Sequence, residues 1–321
     1  MKNKPILLIA GDPNSIFFEI LFKSIKKNKY KSPLILICNK KLLINQMKYF
    51  KFKKKLKILK LEKVRNEKLD NKNLNIIDVK LKTSSNRFYQ NEYIKEYIKR
   101  SFHIAFKLIS IGITKKIING PINKKKILKQ KFLGITEYLD FLTKSNGNVA
   151  MLIYNKKLSV SPITTHLPLK NVHKHISKIK IIKHVKLITE FYKKEFKLKP
   201  NIGITGLNPH CESNFYKSEE DEIITPAVKY LSKKRFKVKG PFPADTIFME
   251  DNLKKFDVII GMYHDQVLTP IKSIYGFNAI NITLGLPFIR ISPDHGPNEN
   301  MFLKNKSNPT SLIEAIKFLD K

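Results

Sequence analysis

The chain has 321 residues, room for about two domains. With 42% hydrophobic residues, two cysteines and no apolar run near 18 residues, it excludes a disordered chain, a disulfide-stapled scaffold and a helical membrane protein. Sixty-two Lys+Arg against 26 Asp+Glu leave a net charge of +36, which raises the question of nucleic acid.

The basic residues are mostly lysine, spread over the whole length beside an excess of Ile and Asn. All three have A/T-rich codons, so a biased genome gives this balance without selection for a ligand. No zinc-finger spacing, aromatic RNP-type strand or basic helix with heptads accompanies the charge. It is therefore read as a solvated lysine surface whose field attracts anionic substrates.

In chain order, short apolar runs alternate with longer amphipathic stretches. "PILLIAG" (5–11), "PLILICN" (33–39) and "KKIINGP" (115–121) read as strands. So do "VAMLIYN" (149–155), "LSVSPITTH" (158–166), "NIGITGLNPH" (201–210), "FDVIIGMYH" (256–264) and "AINITLGLPF" (279–288). Helical patterns occupy 91–110 and 177–197, and 51–75 reads as surface helix and loop. Strand–helix alternation with continuous apolar strands predicts an α/β fold with largely parallel sheets. "MKNKPILLIAGDPNS" is too short in its apolar part for a secretory leader. Cys38 and Cys211 sit in unrelated contexts, which fits a reducing compartment. The expectation is a soluble, cytoplasmic protein.

Three of these strands end in histidine: His166, His210 and His264. Ligands of parallel α/β sheets gather outside the carboxyl ends of the strands, so three imidazoles delivered there can share one divalent metal, most naturally zinc. Asp265 and Asp245 are positioned to orient the rings by accepting their second N–H. His103, His173, His175 and His184 lie on or beside lysine-rich helical faces and are expected to be solvated. A second set, Lys272, Asn281 and Arg290, suits a phosphate or carboxylate. Arginine is scarce here, which gives Arg290 the greater weight. The turn "NGPINK" (119–124) can also face an anion.

The motifs "TTHLPLKNV", "GLNPH", "GPFPADTIF", "MYHDQ" and "NITLGLPFIR…SPDHG", in that order, resemble those of the 4-hydroxythreonine-4-phosphate dehydrogenase family of vitamin B6 biosynthesis. The resemblance implies an isopropylmalate-dehydrogenase-like pair of α/β domains with a cleft between them. One would comprise 1–132 and 290–321 on the cofactor side, the other 133–289 for metal binding and dimerisation. It implies a homodimer whose shared site holds one divalent ion (Zn, Mg or Co) on the histidines matching His166, His210 and His264. It implies substrate contacts from Thr136, Lys272, Asn281 and Arg290, and a cofactor-side loop containing Asp294, His295 and Gly296. The implied reaction is oxidation of the substrate's C3 hydroxyl by NAD or NADP, then loss of CO₂ to give 3-amino-2-oxopropyl phosphate. The general base stays open between Asp245, Asp265 and a metal-bound water.

The chain departs from the family at four places. The usual "GHTE" is "GITE", with Ile135 for a substrate-touching histidine, and "GPxHK" is "GPINK", with Asn123 for another. The glycine-rich "GEPAGIGPE" is "GDPNSIFFE", where Asn14 or Ser15 is the expected helix cap. "DHGTA" is "DHGPN". Two alternatives follow: a dehydrogenase of 4-phospho-threonate or 4-phospho-erythronate, and a basic nucleic-acid-binding protein on the same fold.

Overall fold

The computed structural model describes residues 3–82, 90–123, 132, 134–211, 217–276, 278–293 and 296–320. The chain splits into two compact units, Met1–Lys131 with Pro287–Lys321, and Phe132–Leu286.

The first unit contains β1 (Ile6–Ile9), α1 (Phe17–Lys27), β2 (Leu34–Cys38), α2 (Lys40–Tyr49), β3 (Leu56–Ile58), β4 (Leu74–Asp78), α3 (Asn91–Ser110) and β5 (Lys116–Asn119). The second contains α4 (Ile135–Thr143), β6 (Ala150–Tyr154), β7 (Ser159–Thr164), α5 (Lys178–Phe196), β8 (Ile202–Thr205), α6 (Thr225–Lys233), β9 (Val238–Phe242), α7 (Glu250–Leu253), β10 (Val258–Tyr263), α8 (His264–Tyr275) and β11 (Ile280–Leu284). The chain returns to the first unit for β12 (Ile289–Pro293) and α9 (Thr310–Leu319).

In the first unit the strands run β3-β4-β2-β1-β5-β12, every pair parallel. β1 and β2 are apolar throughout and fully buried, as parallel strands covered on both faces must be. Helix α3 buries Ile94, Tyr97, Ile98, Ser101, Phe102, Ala105 and Leu108, and packs on β1 and β2. That spacing of three and four residues puts one continuous stripe against the sheet. Each large apolar side chain so buried contributes about 1.5–3 kcal/mol.

In the second unit the order is β11-β6-β7-β10-β8-β9. β7, β10, β8 and β9 pair in parallel, while β6 is antiparallel to both β7 and β11. Helix α5 starts where Ser177 accepts a hydrogen bond from the Lys180 amide. It lies on β6, β7 and β11, and α8 lies on β7 and β10.

Three local expectations need correction. Residues 51–75 hold no α-helix but the short strand β3, a 3-10 turn and the start of β4, which adds two parallel strands at the sheet edge. The lysine-rich composition hid the alternation that a half-exposed edge strand carries. The first residue preceding α1 is Ile16, not Asn14 or Ser15. Asp12 instead closes the turn, accepting from the Asn14 amide at 2.9 Å and the Ser15 hydroxyl at 2.7 Å. Finally, His184 is buried, because it falls on the sheet-facing stripe of α5 with Ile181, Val185 and Ile188.

Candidate functional site

Register explains how two of the histidines meet. β7 and β10 pair in parallel with Thr164 opposite Tyr263, so both strands end at the same level. His264 follows at once as the first residue of α8, and His166 follows Thr165. Their rings lie 5.8 Å apart, centroid to centroid, tilted by 39°. His264 Nδ1 is 2.6 Å from Asp265 Oδ1. An ionised carboxylate only accepts, so the ring proton sits on Nδ1 and the Nε2 lone pair is left for a ligand. Asp245, the other carboxylate expected to orient a ring, is exposed in the turn between β9 and α7.

His210 lies farther beyond its strand. Four residues separate it from the end of β8 at Thr205, and it occupies a turn, Pro209–Cys211, with φ 58° and ψ 8°. Its side chain is exposed. Among the described residues of one chain, no group of three or more His, Cys, Asp or Glu is placed to hold a metal ion. A single chain thus brings together His166 and His264, and His210 does not join them in such a group.

The neighbourhood of His166 includes a carboxylate that sequence reasoning missed. A methyl group on Gly134 would lie 2.9 Å from His166 Nδ1 and 2.8 Å from Glu137 Oε2, so both groups crowd this glycine. Glu137 Oε1 accepts a 3.0 Å hydrogen bond from the Thr165 hydroxyl. Its Oε2 is buried and has no hydrogen-bond partner among the described residues. Lys180 on α5 faces the same region: burial pulls its ammonium below the usual lysine range, and the Glu137 charge opposes that. The available signal was the position of Glu137 in the first turn of α4, one residue after Thr136.

The expected substrate residues are distributed as follows. Thr136 is buried as the second residue of α4, directly after Ile135, which is also buried. Asn281 is the second residue of β11. Its Nδ2 reaches Met151 Sδ at 3.4 Å, and its Oδ1 is buried without a partner among the described residues, an acceptor that suits a hydroxyl or ammonium donor. Lys272 is exposed in the last turn of α8. In the first unit, Arg290 on β12 is 3% exposed and donates from Nε to Asn119 Oδ1 at 2.6 Å.

The carboxyl edge of the first unit is a backbone construction. The Gly120 amide donates to Ile9 O at 2.7 Å, and the Asp12 amide to Pro121 O at 2.9 Å. The Ile16 amide reaches Pro297 O at 3.2 Å, and Asn123 Nδ2 reaches Glu299 Oε1 at 2.9 Å. Gly296 is exposed in that segment; Asp294 and His295 lie outside the described residues.

Comparison with known proteins places this arrangement in a family. Residues 29–319 match the model of the "Pyridoxal phosphate biosynthetic protein PdxA" family. The 4-hydroxythreonine-4-phosphate dehydrogenase of Sulfurihydrogenibium sp. (strain YO3AOP1) is 38% identical over 320 residues, covering 97% of this chain and 96% of the relative. That of Aquifex aeolicus is 36% identical, covering 99% and 98%. The crystal structure of 4-hydroxythreonine-4-phosphate dehydrogenase from Klebsiella pneumoniae superposes with a TM-score of 0.83 at 28% identity, covering 99% of this chain and 98% of that one. A terephthalate 1,2-cis-dihydrodiol dehydrogenase from Burkholderia xenovorans, 19% identical with a TM-score of 0.63 over 99% and 98% of the chains, shares the fold. The match to the family model and the full-length relatives together establish that this chain belongs to the PdxA family of pyridoxal phosphate biosynthetic proteins.

Proposed function

We propose that the chain is a 4-hydroxythreonine-4-phosphate dehydrogenase, oxidising the C3 hydroxyl of its substrate with NAD or NADP and releasing CO₂ to form 3-amino-2-oxopropyl phosphate. The observation that carries this reading is the His166–His264 pair, with Asp265 on His264, at the carboxyl edge of a chain of this family. Named relatives at 36–38% identity over nearly full length favour it over the phospho-threonate and nucleic-acid alternatives.

The donor set fits a divalent ion of the zinc, cobalt or magnesium kind, zinc and cobalt best because the ligands are imidazoles. His166 and His264 would hold it, with His210 contributed from a second copy of the chain in a homodimer. Such an ion would supply Lewis-acid polarisation at the substrate's C3 oxygen, and the nicotinamide would supply the hydride acceptor. Protein groups supply position. Asn281 presents an amide oxygen to the substrate, Thr136 a hydroxyl and Lys272 a point charge for phosphate or carboxylate. In the first unit Arg290 is the proposed anion contact and the Gly11–Asp12, Gly120–Asn123 and Gly296–Glu299 segments the cofactor edge. Glu137 joins Asp245 and Asp265 as a candidate proton acceptor, since one of its oxygens is buried beside His166 without a partner among the described residues. A cytoplasmic setting agrees with two free cysteines, Cys38 and Cys211.

The test is reduced-cofactor formation with 4-phosphohydroxy-L-threonine before and after chelation, in wild type and His264→Ala. The proposal expects turnover to fall roughly a hundred- to a thousandfold in the variant, in line with loss of a group that stabilises developing charge. Undiminished turnover in His264→Ala, or a clear preference for a substrate without the amino group, overturns it.

A further inference from the structure

The carboxyl edge of the second unit also carries a buried hydrogen-bond chain built from residues other than the proposed ligands. Gln266 lies in the first turn of α8 and is 9% exposed. Its side-chain oxygen accepts from the Met262 amide at 2.7 Å and the Thr205 hydroxyl at 2.8 Å. Its amide nitrogen donates to Gly206 O at 2.8 Å. One residue thus clips the end of β10, which leads to His264, to the end of β8, which leads to His210. The Thr164 hydroxyl donates to Met262 O at 2.7 Å and adds the end of β7, which leads to His166.

Glu220 continues the chain. It is 2% exposed, at the head of a π-helical turn, Glu220–Ile224. Its Oε1 accepts from the Leu207 amide at 2.6 Å and the Asn208 amide at 2.8 Å, and its Oε2 accepts from Asn208 Nδ2 at 2.8 Å. Glu219 accepts from the same Nδ2 at 2.9 Å. The segment it grips runs straight into His210 and Cys211, whose φ values of 58° and 61° are left-handed and unfavourable for residues with a side chain. Such a turn persists only where its surroundings over-determine it. A buried carboxylate and a buried amide are demanding ways to fill space, since each requires its partners to stay in place. π-Turns of this kind recur at functional sites.

We infer that Gln266 and Glu220 are positioning residues that tie the strand ends bearing His166, His210 and His264 into one rigid hydrogen-bonded edge, fixing how the imidazoles leave the sheet. The inference rests on the metal reading above. It holds whichever copy His210 serves, because the loop must be set relative to its own strand in either case.

The test is a Co²⁺ titration of the full chain followed by visible absorption, at a temperature where far-ultraviolet circular dichroism shows each variant folded. Hydrogen exchange at the Leu207, Asn208 and Met262 amides is read alongside. Glu220→Gln and Gln266→Glu are each expected to weaken Co²⁺ binding about 10- to 100-fold and to speed exchange at those amides. Tyr192→Phe is the control, because it removes hydrogen bonds to Ser159 Oγ and Asp257 O at the opposite ends of the same strands. It should lower stability and leave Co²⁺ affinity unchanged. Wild-type affinity in both edge variants, beside lost binding in His210→Ala, overturns the inference and leaves the metal reading standing. Wild-type affinity in His210→Ala removes the metal reading and the inference with it. If one edge variant does not fold, the other carries the same comparison.

Discussion

At the carboxyl edge of the first unit, loops approach each other backbone to backbone: a methyl group on Gly11 would overlap the Pro121 carbonyl, and one on Gly120 the Ala10 carbonyl. At the same edge of the second unit the approach is made by side chains, with His166, His264, Gln266 and Glu220 lying between strand ends and Asp265 reaching His264 from the exposed side. Both edges terminate parallel strands. The difference is what each leaves for a ligand. Crowded glycines leave a narrow profile in which the Asp12, Ile16 and Gly120 amides are already paired with carbonyls. Imidazoles and carboxylates leave lone pairs and charge, the groups on which the proposed metal site depends. The first edge should therefore be sensitive to added volume and the second to altered chemistry.

The largest effect expected from that contrast is steric. Gly11 has φ +77° and no space for a methyl group, so Gly11→Ala should destabilise the protein by about 4 kcal/mol, combining the left-handed conformation with overpacking. Denaturant midpoints would show it, and an unchanged midpoint would mean that the loops are not packed as described.

The next effect separates the chemistry of the second unit from its packing. His184 is fully buried, its Nε2 lacks a hydrogen-bond partner among the described residues, and burial, with Lys180 nearby, pulls its pKa from 6.5 to about 4. Between those values the unfolded chain binds a proton that the folded chain refuses. Stability should therefore fall as pH drops from 6.5 to about 4, by roughly 3 kcal/mol, and this contribution should level off below that. Comparing unfolding across this range in wild type and His184→Leu isolates the contribution. Equal slopes in the two proteins would contradict it.

The smallest effect is chemical and leaves the fold alone. Asp265 is largely exposed, so Asp265→Asn should change stability little, yet it replaces a carboxylate that can only accept from His264 Nδ1 with an amide that can also donate to it, so the tautomer is no longer fixed. Metal affinity should drop about tenfold. Isothermal titration with Zn²⁺ measures it, and wild-type affinity would show that Asp265 does not orient the ring.

Much of the frame was legible in the sequence because the physics there is local. Continuous apolar runs such as "PLILICN" have one use in an α/β chain, and the stripe from Ile94 to Leu108 fixes α3 by its period alone. Strands β3 and β4 were missed because β3 is a three-residue edge strand among lysines, and β4, though buried between β3 and β2, offers only the short run "LNIID". His166 and His264 were legible as strand-end histidines. Their proximity was not, because it depends on β7 and β10 being neighbours that end level, a fact of topology. Gln266, Glu220 and Glu137 were invisible for the same reason: nothing in a single carboxylate or amide announces that three loops converge on it. His184 misled because Lys183 and Lys186 beside it on α5 are exposed while it points in.

The central claim is that His166 and His264 are two ligands of one cation. Crystals soaked in Co²⁺ and measured at the cobalt edge test this directly. The account predicts one anomalous peak at that site, about 2.0–2.1 Å from an imidazole nitrogen of each residue. A peak bound elsewhere, or none between these rings in cobalt concentrations that saturate the solution titration, would contradict it.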